Sequence, residues 1–440
     1  MDNEKFTFEK ITNDLSSHIN LSKAFKIWMG FLVVGLVVCL YAYSLQMKTG
    51  LGVTGLRDYI SWGMYISNFV FFVASSLIGM LISAVLGLIG IKWANPLMRI
   101  AEIIAVAFAA VAGLVIVSDM GRPERLANVF IYGRFQSPIL WDVTVITTYF
   151  VLSLLLFFLP LIPDLSILYT KYPSLPGWLK PIYKTLSLNW SNKPGQNRII
   201  HRSVRILLIL LIPAALSIHT VTSWLFAITV RPGWNSTIFG PYFVSGAFVA
   251  GAASVIIAMF FFRNNYKLKE YLTDLHFNNM GKLLVLVSFV YMYFNINEFL
   301  VPGYKLEKAD AIHLEELLAG KYALMFWAVQ LLGLVIPMFL MLWRSIRKPL
   351  PITVISVFVI IGAWFKRYLI VVPTQENPFL PIQHVPANFH VYSPTLIETL
   401  ITLASFFLLL IIITMLSKFF PVIPVWETAQ EKGIEKFDSE

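Results

Sequence analysis

Seven ionisable side chains stand on or at the ends of long apolar stretches: Asp119, Asp142, His219, Glu298, Lys366, Arg367 and Glu398. A charge at the centre of a bilayer costs roughly 2.5–3.5 kcal/mol on insertion scales, so seven facing lipid would cost on the order of 20 kcal/mol. Groups of this kind pair with one another, line a wet cavity, or hold something polar. Their natural chemistry is proton exchange. A carboxyl shielded at membrane depth titrates closer to working pH, and imidazole already titrates near neutrality. The expectation is one shared pocket, and that pocket is the candidate functional site.

Composition says what must position them. The chain has 440 residues, 58% hydrophobic and only 13% charged, with a mean hydropathy of +0.73. Soluble domains carry about 25% charged residues. This is the composition of an all-α polytopic membrane protein. The net charge of +10 does not point to nucleic acid, because Lys and Arg fall mostly in the connections, where topology accounts for them. The single cysteine, Cys39, lies inside the first apolar run. One thiol forms no internal disulfide and ligates no iron–sulfur cluster, and there is no C-x-x-C-H haem attachment sequence. Cys39 reads as an inert packing residue. The first apolar run follows about 23 polar residues and is long enough to span the membrane, so no cleaved signal peptide is expected.

Ten stretches of about 20 apolar residues are expected as helices, at 24–45, 62–90, 98–118, 138–162, 203–228, 240–263, 281–301, 322–343, 350–372 and 394–418. With both termini inside, the inner segments hold about 23 of the 34 Lys and Arg and the outer ones about 9, which assigns both ends to the cytoplasm. The longest inner connection, 163–202, is rich in Pro, Lys and Tyr and is expected at the surface.

This topology puts Asp119, Asp142, Glu298 and Glu398 at outer ends of their spans. It puts His219, Lys366 and Arg367 within about two turns of the same level. Helical spacing aligns Asp142 with Tyr149, His219 with Ser223, and Tyr291, Asn295 and Glu298 in one stripe. A sparser set runs toward the cytoplasm. Tyr65, Asn68, Phe72, Ser76, Gly79 and Ser83 share a face, Glu102 lies one turn inside the third span, and Asp164 ends the fourth. Hydroxyls and carboxyls in such a row suit a proton path; the competing reading is a small-residue packing face, with Glu102 reaching headgroups.

VSDMGRPER after the third span resembles the D-x-G-R-P signature of the NrfD/polysulfide reductase membrane-subunit family. SPILWDVTVITTY, SIHTVTSWLFAITVRPGWNSTIFGPYF, YMYFNINEF and the ending PVIPVWE are similar to that family too. The resemblance covers about 55–430 and is closest to the ten-span members of sulfur-metabolism, quinone-reductase and alternative complex III assemblies. It implies a cytoplasmic tail at 1–23, a peripheral first helix and outer loop at 24–61, and a four-helix bundle with the quinone site at 62–228. It further implies a second four-helix bundle at 229–372, an outer loop and peripheral tenth helix at 373–418, and a tail at 419–440. The implied cofactor is a quinone, menaquinone by expectation, with no haem or iron–sulfur cluster in this chain. The implied partners are a ferredoxin-like iron–sulfur subunit over the pocket, with a multihaem cytochrome c or a molybdopterin-type subunit as further candidates. The implied setting is the cytoplasmic (inner) membrane of a bacterium or archaeon, with membrane lipid around the chain and the quinone site toward the outer side. Asp119 stands where family members carry Asp or His before G-R-P, and Asp142 is the carboxylate after S-P-x-x-W.

In that frame Asp119, Asp142 and His219 are the catalytic candidates, exchanging protons with the two carbonyl oxygens. Arg122, Trp141, Tyr149, Tyr65 and Asn68 are candidates to hold the ring or its loop, with Arg122 pairing Asp119. Glu102, Ser83, Asp164, Glu298, Lys366 and Arg367 are proton-path candidates. No metal-ligand set is expected. Each has a plainer reading: a helix-end pair for Asp119 and Arg122, a first-turn dipole partner for Asp142, a buried hydrogen-bonded His219, and an ion pair of Glu298 with Lys366 or Arg367. Two other functions compete. A b-type cytochrome needs facing histidines at depth, and only His219 lies within a span; His18, His201, His276, His313, His384 and His390 fall in loops or tails. A secondary transporter would use the same charges for coupling, but its helices are usually broken near the midplane.

Overall fold

The computed structural model describes residues 7–229, 231–377, 384, 386 and 389–434, and every regular element among them is helical. In chain order these are α1 (Phe8–Ser16), α2 (Lys23–Thr49), α3 (Met64–Ile89), α4 (Asn95–Ser118), α5 (Asn128–Ile131) and α6 (Pro138–Phe158). They continue with α7 (Leu161–Lys171), α8 (Lys180–Leu186), α9 (Pro194–Ala227), α10 (Phe239–Asn265), α11 (Asp274–Lys305) and α12 (Lys308–Leu318). The last are α13 (Ala323–Gln330), α14 (Ile336–Leu340), α15 (Pro349–Glu376), α16 (Leu396–Phe419) and α17 (Val425–Glu431). Ten segments built from them are long and apolar enough to cross a membrane, one for each expected span.

Local chemistry sets the ends. Ser22 Oγ accepts from Phe25 N to start α2, and Gly50 ends it at φ +81°. Pro138 stands in the first turn of α6, where its missing N–H costs nothing. Thr395 and Glu398 form a reciprocal capping box on α16. Two spans are broken. The fourth bends at Leu159–Pro160 and runs on as α7. The eighth passes through a π-helical segment, Leu331–Val335, just before Pro337, whose ring removes one backbone donor.

Helix α3 is the hub and packs on α4, α9, α10 and α15. Helices α3, α4, α6 and α9 close one ring of four, and α10, α11, α13–α14 and α15 close a second, joined where α10 lies on α3 and α9. Helices α2 and α16 pack on each other, with α16 against α4 and α3. Much of α2, including Phe31, Val34, Val37, Val38 and Tyr41, faces outward as a lipid-contacting helix should. Helices α3 and α4 approach closely because Gly79 lacks a Cβ; one built there would lie 2.3 Å from the Ala101 carbonyl oxygen.

One expectation needs correction. The connection 163–202 is not simply surface: Leu165, Leu168, Leu175, Leu179 and Tyr183 are buried, and the Tyr183 hydroxyl donates to the Phe419 carbonyl. The N-terminal segment carries a helix of its own. Ile11, Leu15 and Ile19 are buried along α1 and the turn after it, and α1 packs on α7 and α17. The same face collects both ends of the chain, since His18 Nε2 lies 3.2 Å from the Phe420 carbonyl and Lys418 Nζ donates to the Asn20 carbonyl at 2.7 Å. We call it the terminal face, and its opposite the far face.

Candidate functional site

The seven charges are distributed over both rings of helices and α16 beside them. No hydrogen bond or ion pair joins Asp119, Asp142 and His219 among the described residues. They sit in separate neighbourhoods because depth follows from topology, whereas the azimuth of each side chain follows from helix rotation.

Asp119 caps α4 just beyond the span, and its Oδ1 is buried without a hydrogen-bond partner. Burial, with a smaller push from Glu398, raises its carboxyl to about 7. Next to it the Tyr65 hydroxyl donates to Gln46 Oε1 at 2.6 Å, and Gln46 Nε2 donates to the Ser118 carbonyl at 2.7 Å. Helices α2, α3 and α4 are thus tied together beside one unsatisfied acceptor. Arg122 is exposed and makes no ion pair with Asp119, which overturns the expected pairing. Glu398 is fully occupied. It accepts from the Tyr392 hydroxyl (2.6 Å), Gly55 N (2.8 Å), Thr395 N (2.9 Å) and Thr395 Oγ1 (3.2 Å), fastening the far-face loops. Arg231 adds a strap, donating to the carbonyls of Tyr59 and Gln375 at 3.1 Å each.

Asp142 is buried and accepts from Thr222 Oγ1 at 2.6 Å, a bond between α6 and α9. Tyr149 is buried and donates to the Ser76 carbonyl at 2.8 Å, which makes it a tie between α6 and α3. Trp141 is 39% exposed and donates to the Phe135 carbonyl of its own loop, so it does not face the interior. Asn68 is satisfied on both sides, donating to Thr402 Oγ1 and accepting from Trp364 Nε1, each at 2.7 Å. His219 is 1% exposed with neither ring nitrogen partnered, and the charge of Arg367 acts on it.

The second ring holds the rest. Glu298 accepts from Ser236 Oγ at 2.6 Å and forms no ion pair with Lys366 or Arg367, contrary to that reading. The Lys366 ammonium instead sits among three rings, 4.6 Å from the centroid of Phe299, 5.5 Å from Phe326 and 5.7 Å from Tyr242. A cavity of about 30 Å³ lies here, lined by Glu298, Lys366, Asp310, His313 and Tyr242 among others. The sequence reading puts His313 in a loop. It lies buried on α12, where burial and then Lys366 pull its imidazole down to about 4. Its signal was the pairing of Asp310 and His313 at i, i+3 in an amphipathic stretch.

Toward the terminal face, Ser83 Oγ donates to Glu102 Oε1 at 2.8 Å. Arg99, only 1% exposed, places Nε 3.7 Å from Glu102 and Nη2 3.3 Å from Asp164. Asp164 also accepts from Trp426 N at 2.8 Å and so holds the start of α17. Glu427 joins the group; burial raises its carboxyl to about 7, against the pull of Arg99. Three of the six expected path residues, Ser83, Glu102 and Asp164, are thus joined through Arg99, and Glu102 does not reach outward. Arg99 was missed although its i, i+3 spacing from Glu102 was legible. Glu427 was not, since it arrives from the far end of the chain. Phe71, Phe72, Phe108 and Phe406 pack in edge-on and tilted contacts, the first two on α3 between Asn68 and Ser83 in sequence. Among the described residues no group of three or more His, Cys, Asp or Glu suits a metal ion.

The fold and these polar layers define a multi-span helical membrane protein with buried ionisable groups. Residues 52–378 match the family model described as polysulphide reductase, NrfD, and the chain belongs to that family. Over 350 residues, 77% of this chain and 75% of the other, it is 27% identical to a putative dimethyl sulfoxide reductase membrane subunit of Halobacterium salinarum. Over 390 residues, 86% and 89% of the two chains, it is 25% identical to a selenate reductase subunit of Mesobacillus selenatarsenatis. A stretch of 112 residues, 26% of this chain and 28% of the other, is 31% identical to an Hdr-like menaquinol oxidoreductase integral membrane subunit of Archaeoglobus fulgidus.

Proposed function

We propose that the chain is the quinol-reactive membrane subunit of a respiratory oxidoreductase complex and passes electrons to an iron–sulfur subunit docked on the far face. The reading rests chiefly on Asp119, a buried carboxylate oxygen left without a partner beside the Tyr65–Gln46 pair, inside the region that matches the family. Two relatives are named as subunits of reductases and one as part of a menaquinol oxidoreductase, which supports menaquinol as donor and a molybdopterin-type catalytic subunit beyond the iron–sulfur partner.

A quinol bound there supplies a two-electron, two-proton couple. Asp119 Oδ1 fits a hydroxyl donor, being a buried acceptor in want of one. Gln46, held by the Ser118 carbonyl, keeps the Tyr65 hydroxyl aimed along the same edge. Asp119 takes one proton and returns it to the far-face solvent, the second leaves by way of Asp142, one helix away on Thr222, and both electrons pass to the iron–sulfur subunit. We assign Ser83, Glu102 and Asp164 to proton access from the terminal face when the couple runs in the direction of quinone reduction, which consumes two protons. The aromatic layer of Phe71, Phe72, Phe108 and Phe406 then separates the two proton compartments.

The test is Asp119→Asn in the intact complex. Quinol-linked turnover should fall by about 10²-fold or more, the range expected for a positioned general base, while reduction from an artificial donor to the partner subunits persists. In the wild type the quinol reaction should rise with pH through about 7, because the acceptor must be ionised. Normal quinol turnover in the assembled variant would remove Asp119 from the chemistry.

A further inference from the structure

We infer that the second ring of helices contains a binding site for one small monovalent anion, chloride in the first instance, between Arg367, Lys366 and Gln330. The inference is independent of the quinol reading. A cavity of about 20 Å³ lies against the π-helical segment and is lined by Gly246, Tyr291, Gln330, Gly333, Lys366 and Arg367, among others. One water-sized body needs about 10–15 Å³ of such space, so a monoatomic ion fits and a quinone ring does not.

The polar groups around it are donors. Arg367 is 1% exposed and makes no hydrogen bond or ion pair to any described residue; its Nε is buried and unpartnered. It stacks on the Phe243 ring at 5.4 Å. Gly246 leaves it room, since a Cβ there would lie 3.0 Å from Nη2. The Lys366 ammonium lies against rings that line the neighbouring cavity and forms no hydrogen bond or ion pair with any described residue, so Arg367 is the chief cation of this one. Gln330 and Asn295 bond each other, Asn295 Nδ2 donating to Gln330 Oε1 at 2.8 Å and Gln330 Nε2 to Asn295 Oδ1 at 3.4 Å, which leaves Gln330 one further amide N–H to offer. Guanidinium and ammonium have no acceptor to offer.

The charge balance agrees. Two cations, Lys366 and Arg367, are buried without an ion pair among the described residues; of the two carboxylates on the Lys366 cavity, Glu298 is bound to Ser236 and Asp310 stands on α12, and neither lines the cavity at Arg367. His219, the titratable group facing Arg367 from α9, cannot neutralise it. An uncompensated buried charge is costly, and an anion among these donors removes the excess. The alternative is an uncharged Lys366 beside a water molecule.

The test uses the whole purified complex. Thermal stability is titrated with chloride and bromide against gluconate at fixed ionic strength, and a bromide-containing crystal is measured at the bromine absorption edge. A saturable rise in Tm with either halide, lost in Arg367→Gln, and a bromine peak beside Arg367 are expected. Should Arg367→Gln fail to assemble, the wild-type titration and the bromine peak decide. Equal Tm in halide and gluconate, with no bromine peak in the cavity, would overturn the site in favour of neutral Lys366 and water.

Discussion

Replacing Arg99 by Met should unfold the terminal-face cluster, and the geometry says by how much. The guanidinium stands 3.3 Å from Asp164 and 3.7 Å from Glu102, at 1% exposure, with its face 5.9 Å from the Phe157 ring centroid. Removing one partner of a buried ion pair typically costs about 3–5 kcal/mol, because the remaining charge is left in a poor solvent. That is between roughly a hundred-fold and a few thousand-fold in the folding equilibrium. Protonation of the stranded carboxyls is the escape, so the loss should be smaller at low pH. Glu427 joins that response, its carboxyl already raised to about 7 by burial. Asp164→Asn should be costly as well, though Asn can still accept from Trp426 N. The decisive measurement is the double-mutant cycle in denaturant-titrated mixed micelles. Direct contact predicts that Arg99→Met and Asp164→Asn together cost less than the sum of the singles, by about 0.5–3 kcal/mol. Additive costs would refute the contact. Singles within about 1 kcal/mol of wild type, with proton-linked activity lost, would move the cluster from anchor to relay.

Glu398→Gln replaces an acceptor of four hydrogen bonds by a side chain that cannot reproduce them, two of those donors being backbone N–H groups. Bonds to a charged group contribute about 1.5–3 kcal/mol each, so limited proteolysis should cut the far-face loops around Gly55 and Tyr392 faster; an unchanged cleavage rate would argue against the strap. Gly79→Ala places a methyl group 2.3 Å from the Ala101 carbonyl oxygen, and overpacking of this kind costs about 1–3 kcal/mol. The same substitution at Gly30, where a Cβ meets nothing within 4 Å, should be close to neutral and serves as the control.

Much was legible before any coordinates. Apolar length and the Lys/Arg asymmetry are properties of each segment taken alone, and a bilayer accepts only backbones that satisfy their own hydrogen bonds. Ten spans, both ends on one face and a common depth for the acidic groups follow from that. The i, i+4, i+7 stripe of Tyr291, Asn295 and Glu298 was readable because a helix repeats every 3.6 residues, whatever packs against it.

What each polar group meets was decided only by the tertiary structure. Successive residues turn by about 100°, so a small rotation of α4, α6 or α9 about its own axis sends Asp119 toward Gln46, Asp142 toward Thr222 and His219 toward Arg367. Neighbours distant in sequence then complete the sites: Gln46 for Tyr65, Gln330 for Asn295, and the amide of Trp426 for Asp164, across 262 positions. Those rotations are set by how side chains of different helices interlock, close approaches such as Gly79 on Ala101 among them. Such contacts belong to pairs of helices, and no single stretch of sequence contains them.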